Sequence, residues 1–311
     1  MTGGGGFIGS HLAHRLLREG YEVRILDNFA TGRRENLLDI GDDVEIVEGD
    51  IQSYERVHNA VRDCHVVAHL AALPSVPRSV QDPLTSNATN VTGTLNVLLA
   101  ARDANVGRVV YASSSSVYGA NPELPKREEM AALPISPYAV AKHAGESYCR
   151  AFHQVFGLET VAVRYFNVFG PGQDPLSQYA AVIPNFIGAL LAGRPPVIFG
   201  TGEQSRDFTY IDNVVEGTFR ALTKAGNGGK VFNIAMGGSV TLNELFAMLR
   251  GMVGVDIEPE YAEGRPGDVP HSQASIDRAR AELGYEPIVS TADGLRETLA
   301  WFEQRAVEAR A

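Results

Sequence analysis

The chain has 311 residues, 44% of them hydrophobic and 21% charged, enough for one large domain or two modest ones with an ample core. A formal net charge of −10 and the lack of any long Lys/Arg run argue against nucleic-acid or anionic-membrane partners. No apolar stretch approaches spanning length, residues 1–10 do not read as a signal peptide, and two cysteines, Cys64 and Cys149, give neither disulfide framework nor metal spacing, so a reduced cytoplasmic setting is expected.

In chain order, strand-like and helix-like segments alternate. Residues 9–19 place Leu12, Leu16 and Leu17 at helical spacing, with Gly20 as a stop. Strands are predicted at 21–27 and 44–48, a helix at 53–63, a strand at 65–70 and one long helix at 87–105. A strand at 108–113, a helix at 137–156 and a strand at 159–165 follow. This rhythm predicts an α/β fold, a doubly wound parallel sheet with helices on both faces and ligands at the strand C-terminal ends. From about Phe166 the rhythm breaks, and Gly/Pro-rich stretches (GPGQDP, GRPP, FGTGE, EGRPGD) indicate a smaller, loop-rich lobe.

The first motif stands at the very start: Gly3, Gly6 and Gly9 form Gly-x-x-Gly-x-x-Gly in MTGGGGFIGS. With 32 glycines in the chain the spacing alone carries little weight. Its context carries more, because the turn runs straight into an amphipathic helix whose first N–H groups and dipole suit a pyrophosphate. The next predicted strand ends at Asp27, where a carboxylate can bind an adenosine ribose and favours NAD over NADP. Arg33 and Arg34 offer the alternative of a 2′-phosphate contact, against their reading as a solvated pair.

The second motif is Ser136-Pro-Tyr138-Ala-Val-Ala-Lys142, with Tyr and Lys four apart on one helix face. A lysine cation beside a phenol lowers its pKa from about 10, which would make Tyr138 a general base. Spacing alone favours an exposed aromatic–Lys pair on a helix. Earlier, Ser113–Ser116 follow a predicted strand, where a catalytic hydroxyl belongs and where four buried serines would each need a partner.

With these pieces together, the sequence resembles the extended short-chain dehydrogenase/reductases, the NAD-dependent epimerase/dehydratase family, and is most similar to the nucleotide-sugar epimerases typified by UDP-glucose 4-epimerase. The resemblance spans essentially the whole chain. It rests on TGGGGFIGSHL, LDNFATGRRENL, EGDI, HLAA, ASSSSVYG, SPYAVAK, RYFNVFGPGQDP, SRDFTYIDN and GRPGDVPHS. It implies a Rossmann-type NAD-binding domain over 1–165, with 208–225 packing back on it, and a mainly substrate-binding α/β lobe over 166–311. It further implies that Gly3, Gly6, Phe7, Ile8 and Gly9 hold the pyrophosphate, and that Asp27, Asn28, Thr31 and Gly32 hold the adenosine ribose and nearby phosphate. Asp50 and Ile51 would flank the adenine. Leu70, Ala71 and Ala72 would line the cofactor cleft, with Asn90 nearby. Ser114 would be the catalytic hydroxyl, Tyr138 the base, and Lys142 its partner and a ligand of the nicotinamide ribose, with Tyr165 approaching the nicotinamide.

On the substrate side, the resemblance places Ser114 and Ser115 beside the sugar and Asn167 and Arg206 on the diphosphate. Arg265 and Asp268 would join at the nucleotide end, and Ile198 and Phe199 would sit against the uracil. No metal is expected. The implied chemistry inverts C4 of a UDP-sugar through a 4-keto sugar with NAD retained, in a homodimer paired through helices such as 87–105 and 137–156. Related dehydratases and decarboxylases carry acidic residues after the catalytic Ser/Thr. Ser115 and Ser116 stand there in this chain and cannot act as acids at neutral pH. Ser272, four residues after Asp268, replaces the Tyr of hexose-only epimerases and leaves room for an N-acetyl group. The loop from Ser75 to Ser79 also resembles that of N-acetylhexosamine epimerases, so UDP-GlcNAc/UDP-GalNAc are expected substrates beside UDP-Glc/UDP-Gal; a pentose or uronic acid is the alternative.

One departure concerns the start. Resembling proteins have an apolar strand before Thr-Gly-Gly, near the middle of the sheet. Here the first strand reads as truncated, which would leave its neighbours about 9–10 Å apart with unpaired backbone groups. A misplaced start at Met1, with further apolar residues upstream, is the expectation.

Overall fold

The computed structural model describes residues 1–173, 182–264 and 269–308. In chain order the first half comprises α1 (Phe7–Arg18), β1 (Val23–Asp27), β2 (Val44–Glu48), α2 (Tyr54–Val61), β3 (Val66–His69), α3 (Val76–Gln81), α4 (Pro83–Asn87), α5 (Thr94–Asp103), β4 (Arg108–Ser114), α6 (Pro137–Phe156) and β5 (Glu159–Tyr165). The second half comprises β6 (Val168–Phe169), α7 (Val182–Leu191), β7 (Val197–Phe199), β8 (Ser205–Arg206), β9 (Thr209–Tyr210), α8 (Ile211–Thr223), β10 (Lys230–Ile234), β11 (Val240–Thr241), α9 (Leu242–Val253), β12 (Glu260–Ala262) and α10 (Thr291–Glu308).

The predicted parallel sheet is present. β1 pairs with β2, and β3, β4, β5 and β10 pair in that order, all parallel. Thr2 bridges the two groups, parallel to Leu26 of β1 and His69 of β3, which gives the doubly wound order β2-β1-Thr2-β3-β4-β5-β10. Side chains alternate between the two faces. On β4, Val110 and Ala112 join the cluster under α1 and α8, while Val109 and Tyr111 join the one under α2, α5 and α6.

The expected central gap is therefore filled at the cofactor end. Thr2 N–H donates to Ala68 O at 2.9 Å and Gly3 N–H to Leu26 O at 2.9 Å. Thr2 O accepts from Leu70 N–H at 3.1 Å and Met1 O from Leu26 N–H at 2.8 Å. Met1 and Gly3 bond to β1 and Thr2 to the end of β3, so Leu26, Ala68 O and Leu70 N–H are paired across that position. The Met1 amine donates to Arg24 O, and burial pushes its pKa down to about 6.

The single helix expected over 87–105 is also broken. Pro83 starts α4 with Asp82 as its cap, and a wide π-type turn at Ala88–Gly93 separates α4 from α5. Gly93 in that turn packs against Ile51, where a Cβ would come within 2.6 Å of the side chain. In the second half the strands form short pairs: β6 with β9, β7 with β12, and β8 antiparallel to β11. α8 returns to pack on α1 and on the sheet. Among the described residues no helix is long and apolar enough to cross a membrane.

Candidate active site

The glycine turn is shaped by backbone contacts that leave no room for side chains. At Gly9 a Cβ would lie 2.1 Å from Gly3 O, and at Gly3 (φ +73°) 2.6 Å from Ala71 N. Gly6 caps α1 with no side-chain bond, so the N–H groups of Phe7, Ile8 and Gly9 begin the helix without intrahelical acceptors. Asp27, buried at the end of β1, holds the turn from the other side. Its Oδ2 accepts from Gly5 N–H and its Oδ1 from Phe29 N–H, both at 2.8 Å. Each oxygen keeps a free lone pair for a ribose hydroxyl. Gly32 is pressed against the same place, its Cβ position 2.9 Å from Gly5 C. A free helix start, a crevice closed to side chains and a carboxylate at its rim fit a dinucleotide.

Around this turn the predicted contacts divide. Asn28 Nδ2 donates to Asp50 Oδ2 at 2.8 Å, which joins two of the predicted residues, and Thr31 is exposed nearby in sequence. Ile51 is buried, with its side chain against Gly93. Arg34 is paired with Glu48 and lies 4.1 Å over the Phe29 ring, which commits the side chain that a 2′-phosphate would need.

Half-buried Leu70, Ala71 and Ala72 are held by a bracket that sequence reasoning missed. His69 Nδ1 meets Thr2 Oγ1 at 2.7 Å and its Nε2 meets Thr94 Oγ1 at 2.9 Å. Thr94 donates to Asn90 O, so the ring carries its proton on Nε2. Burial, with Lys142 adding to it, pushes His69 down to about 3 and keeps it neutral. Asn90 is used up in bracing the same segment, bonding Leu73 N–H at 2.8 Å, Leu73 O at 3.1 Å and Ser86 Oγ at 3.4 Å. The available signal was a histidine in an otherwise apolar strand.

Ser114, Tyr138 and Lys142 come together. Ser114 ends β4, and its Oγ accepts from Ser116 N–H at 3.2 Å. α6 starts at Ser136, whose hydroxyl caps Ala139 N–H, with Pro137 in the first turn. Tyr138 N–H donates to Ser79 Oγ at 3.1 Å, and Ser114 stands close enough to its phenol to lower its pKa. Lys142 Nζ donates to Ala112 O at 2.7 Å and lies 5.8 Å from the Tyr138 ring centre. The pKa expectation needs correcting. Burial pushes Tyr138 up to about 12, and Ser114 only partly opposes it. Lys142 is itself pushed down to about 8 by burial, with Glu146 acting the other way. Desolvation of the phenolate dominates at Tyr138, while the Lys142 ammonium is committed to the Ala112 carbonyl.

A buried ion pair stands behind this trio. Glu146 accepts from Ser113 Oγ at 2.5 Å, from Arg164 Nε at 2.8 Å and from Arg164 Nη2 at 2.7 Å. Tyr165, the next residue, gives its hydroxyl to Thr218 Oγ1 of α8 at 2.8 Å, so the hydroxyl is turned away to a helix rather than offered to a nicotinamide.

On the substrate side, Arg206 donates to Ser205 O at 2.9 Å and Pro270 O at 3.2 Å. The adjacent Asp207 is buried and gathers three backbone N–H groups, from Met236 at 2.9 Å and from Gly237 and Ala274 at 3.1 Å. Burial still pushes its pKa up to about 6. Asn167 (φ +31°) reaches this knot through Nδ2 to Asp207 O at 3.5 Å. Ser272 joins through its N–H to Ser205 O at 3.0 Å. Arg206, Asn167 and Ser272 are thus brought together. Ser115, half-buried, opens the turn after Ser114. Ile198 is fully buried in the lobe's core, which withdraws its side chain from any ligand, whereas Phe199 is half-buried. Arg265 and Asp268 lie outside the described residues.

The family model described as "NAD dependent epimerase/dehydratase family" matches residues 1–235. A UDP-glucose 4-epimerase of Mycolicibacterium smegmatis is 41% identical over 310 residues, covering 98% of each chain. A UDP-glucuronate 4-epimerase of Thermodesulfobacterium geofontis is 32% identical over 317 residues, covering 98% of this chain and 95% of the other. Among solved structures, the UDP-N-acetylglucosamine 4-epimerase from Methanobrevibacter ruminantium M1 in complex with UDP-N-acetylmuramic acid superposes with a TM-score of 0.93 at 42% identity. The match covers 98% of this chain and 97% of that one.

Proposed function

The chain belongs to the NAD-dependent epimerase/dehydratase family, and on that premise we propose that it is a UDP-sugar 4-epimerase acting on UDP-hexoses and UDP-N-acetylhexosamines with NAD as a retained cofactor. The observation that carries the reading is the meeting of half-buried Ser114 and Tyr138 with buried Lys142 at the C-terminal ends of the strands that the glycine turn also faces. When bound, NAD supplies the hydride acceptor and donor for sugar C4 and brings a positive charge into the cleft.

The chain's own residues do the rest. The N–H groups of Phe7, Ile8 and Gly9 and the Asp27 carboxylate hold the dinucleotide. Tyr138 takes the proton of the sugar 4-OH and later returns it. Ser114 hydrogen-bonds the same oxygen as it becomes a ketone, and Lys142 favours the phenolate. Arg206 and Asn167 grip the diphosphate, about which the sugar turns to present its other face. Ser115 and Ser116 supply no acid for loss of a hydroxyl, which favours plain epimerisation over dehydration. Ser272, next to the Arg206 knot, carries no bulk that would exclude an N-acetyl group.

Tyr138→Phe tests the reading. The variant is expected to stay folded and retain NAD while turnover falls about 10²–10⁴-fold. Near-wild-type turnover would refute the assignment.

A further inference from the structure

The mechanism makes no use of Glu146, although it is buried within the site. It lies one turn beyond Lys142 and two beyond Tyr138 on α6, 4% exposed, and Arg164 beneath it is equally buried. Its two hydrogen-bond partners, Ser113 and Arg164, are register partners on β4 and β5, one residue before Ser114 and Tyr165. The Arg164 guanidinium lies 4.5 Å over the Tyr118 ring, and the Tyr118 hydroxyl donates to Asn233 Oδ1 of β10 at 2.7 Å. One polar chain therefore ties α6 to β4, β5 and β10 at the strand ends that carry the reacting groups.

Stability alone does not account for it, because a buried ion pair gains little over an apolar replacement of the same shape. Its neighbours suggest what else it does. Around Lys142 stand Tyr138, Glu146 and Cys149 of α6, Tyr111 of β4 and His69 of β3, while His143 of α6 and Ser113 of β4 lie against Glu146. Arg164 of β5 lies behind Glu146, with Tyr118 and Glu128 on its far side. Burial pushes the Cys149 thiol and the Tyr111 phenol up, and His69 down, so all three are neutral. Glu146 is the anion among the groups that face Lys142. We propose that Glu146 is a positioning residue of the reaction, whose bonds to Ser113 and Arg164 set α6 at the height where Tyr138 meets Ser114 and whose charge keeps Lys142 protonated.

The proton affinities agree with this geometry. Burial alone would raise the Glu146 carboxyl, but Arg164, His143 and Ser113 hold it down at about 2. Burial lowers Lys142 to about 8, and Glu146 is the first group that opposes the fall. Arg164 is charged throughout, so neutralising Glu146 also exposes Lys142 to an uncompensated cation.

The proposal rests on the epimerase reading of Tyr138 and Lys142, but its test can be read separately. The chain's lysines are Lys126, Lys142, Lys224 and Lys230, so lysine side chains labelled with ¹³C are resolvable by NMR, with Lys142 assigned by its loss in Lys142→Arg. In Glu146→Gln the Lys142 titration midpoint is expected to fall by about one pH unit or more, and the alkaline limb of kcat to move with it. Glu146→Gln/Arg164→Met removes both charges together and leaves no lone buried cation, so it guards against simple misfolding. Lys142 is expected to titrate below wild type there too. An unchanged Lys142 midpoint in either folded variant overturns the proposal, whatever happens to kcat. The titration is measured whether or not a sugar is epimerised, so a failure of the functional reading shows separately, as an inactive wild type.

Discussion

The two sides of the cleft are built by different means. On the cofactor side the shape comes from backbone pressed against backbone: Gly9 against Gly3, Gly3 against Ala71, Gly32 against Gly5. On the substrate side it comes from side-chain knots between loops far apart in the chain, with Asp207 gathering Met236, Gly237 and Ala274, and Arg206 reaching Pro270. The first kind of site tolerates no added atoms and leaves a local signature. The second tolerates change of shape but depends on charge and on long-range pairing, which suits the side that varies between sugars.

This contrast can be broken experimentally. Gly9→Ala should have the larger effect, because its methyl meets Gly3 O at 2.1 Å with no flexible neighbour to yield. Thermal melts should show a loss of about 1–3 kcal/mol, with NAD no longer retained through purification. Retained NAD at wild-type stability would mean that the turn is looser than its contacts indicate. Asp207→Asn should have the smaller effect. It exchanges an acceptor for a donor in a knot of three N–H groups and should cost about 1 kcal/mol. Steady-state kinetics should then show a rise of about tenfold in KM for the nucleotide sugar, with NAD retention unchanged. A parallel loss of NAD would show that the two sides are not separable.

The contrast also explains what the sequence made legible. Glycine spacing, strand alternation and the Tyr138–Lys142 interval are local, and the sheet, the tight glycine turn and the approach of Tyr138 to Lys142 could be read from them. Three features could not. Met1 bonds to β1 and Thr2 to the end of β3, so together they link the two strands at the cofactor end, a result that depends on where β1 and β3 finish. Asn90 and Tyr165 were expected at the cofactor, yet their polar atoms are committed to Leu73 and Thr218, and only the fold reveals those partners. The Glu146–Arg164 pair joins residues on different elements. Its one local hint is an arginine directly after the apolar run Val161-Ala162-Val163, placed where a charge has to find a partner.

The central claim is that this cleft inverts a sugar carbon and returns its hydride within one binding event. The most direct measurement incubates the purified protein with UDP-Glc and, separately, UDP-GlcNAc, with product sugars resolved and absorbance followed for NADH. The account predicts UDP-Gal from the first and UDP-GalNAc from the second, with no steady accumulation of NADH. No conversion of either sugar, a dehydrated or decarboxylated product, or steadily rising NADH would contradict it.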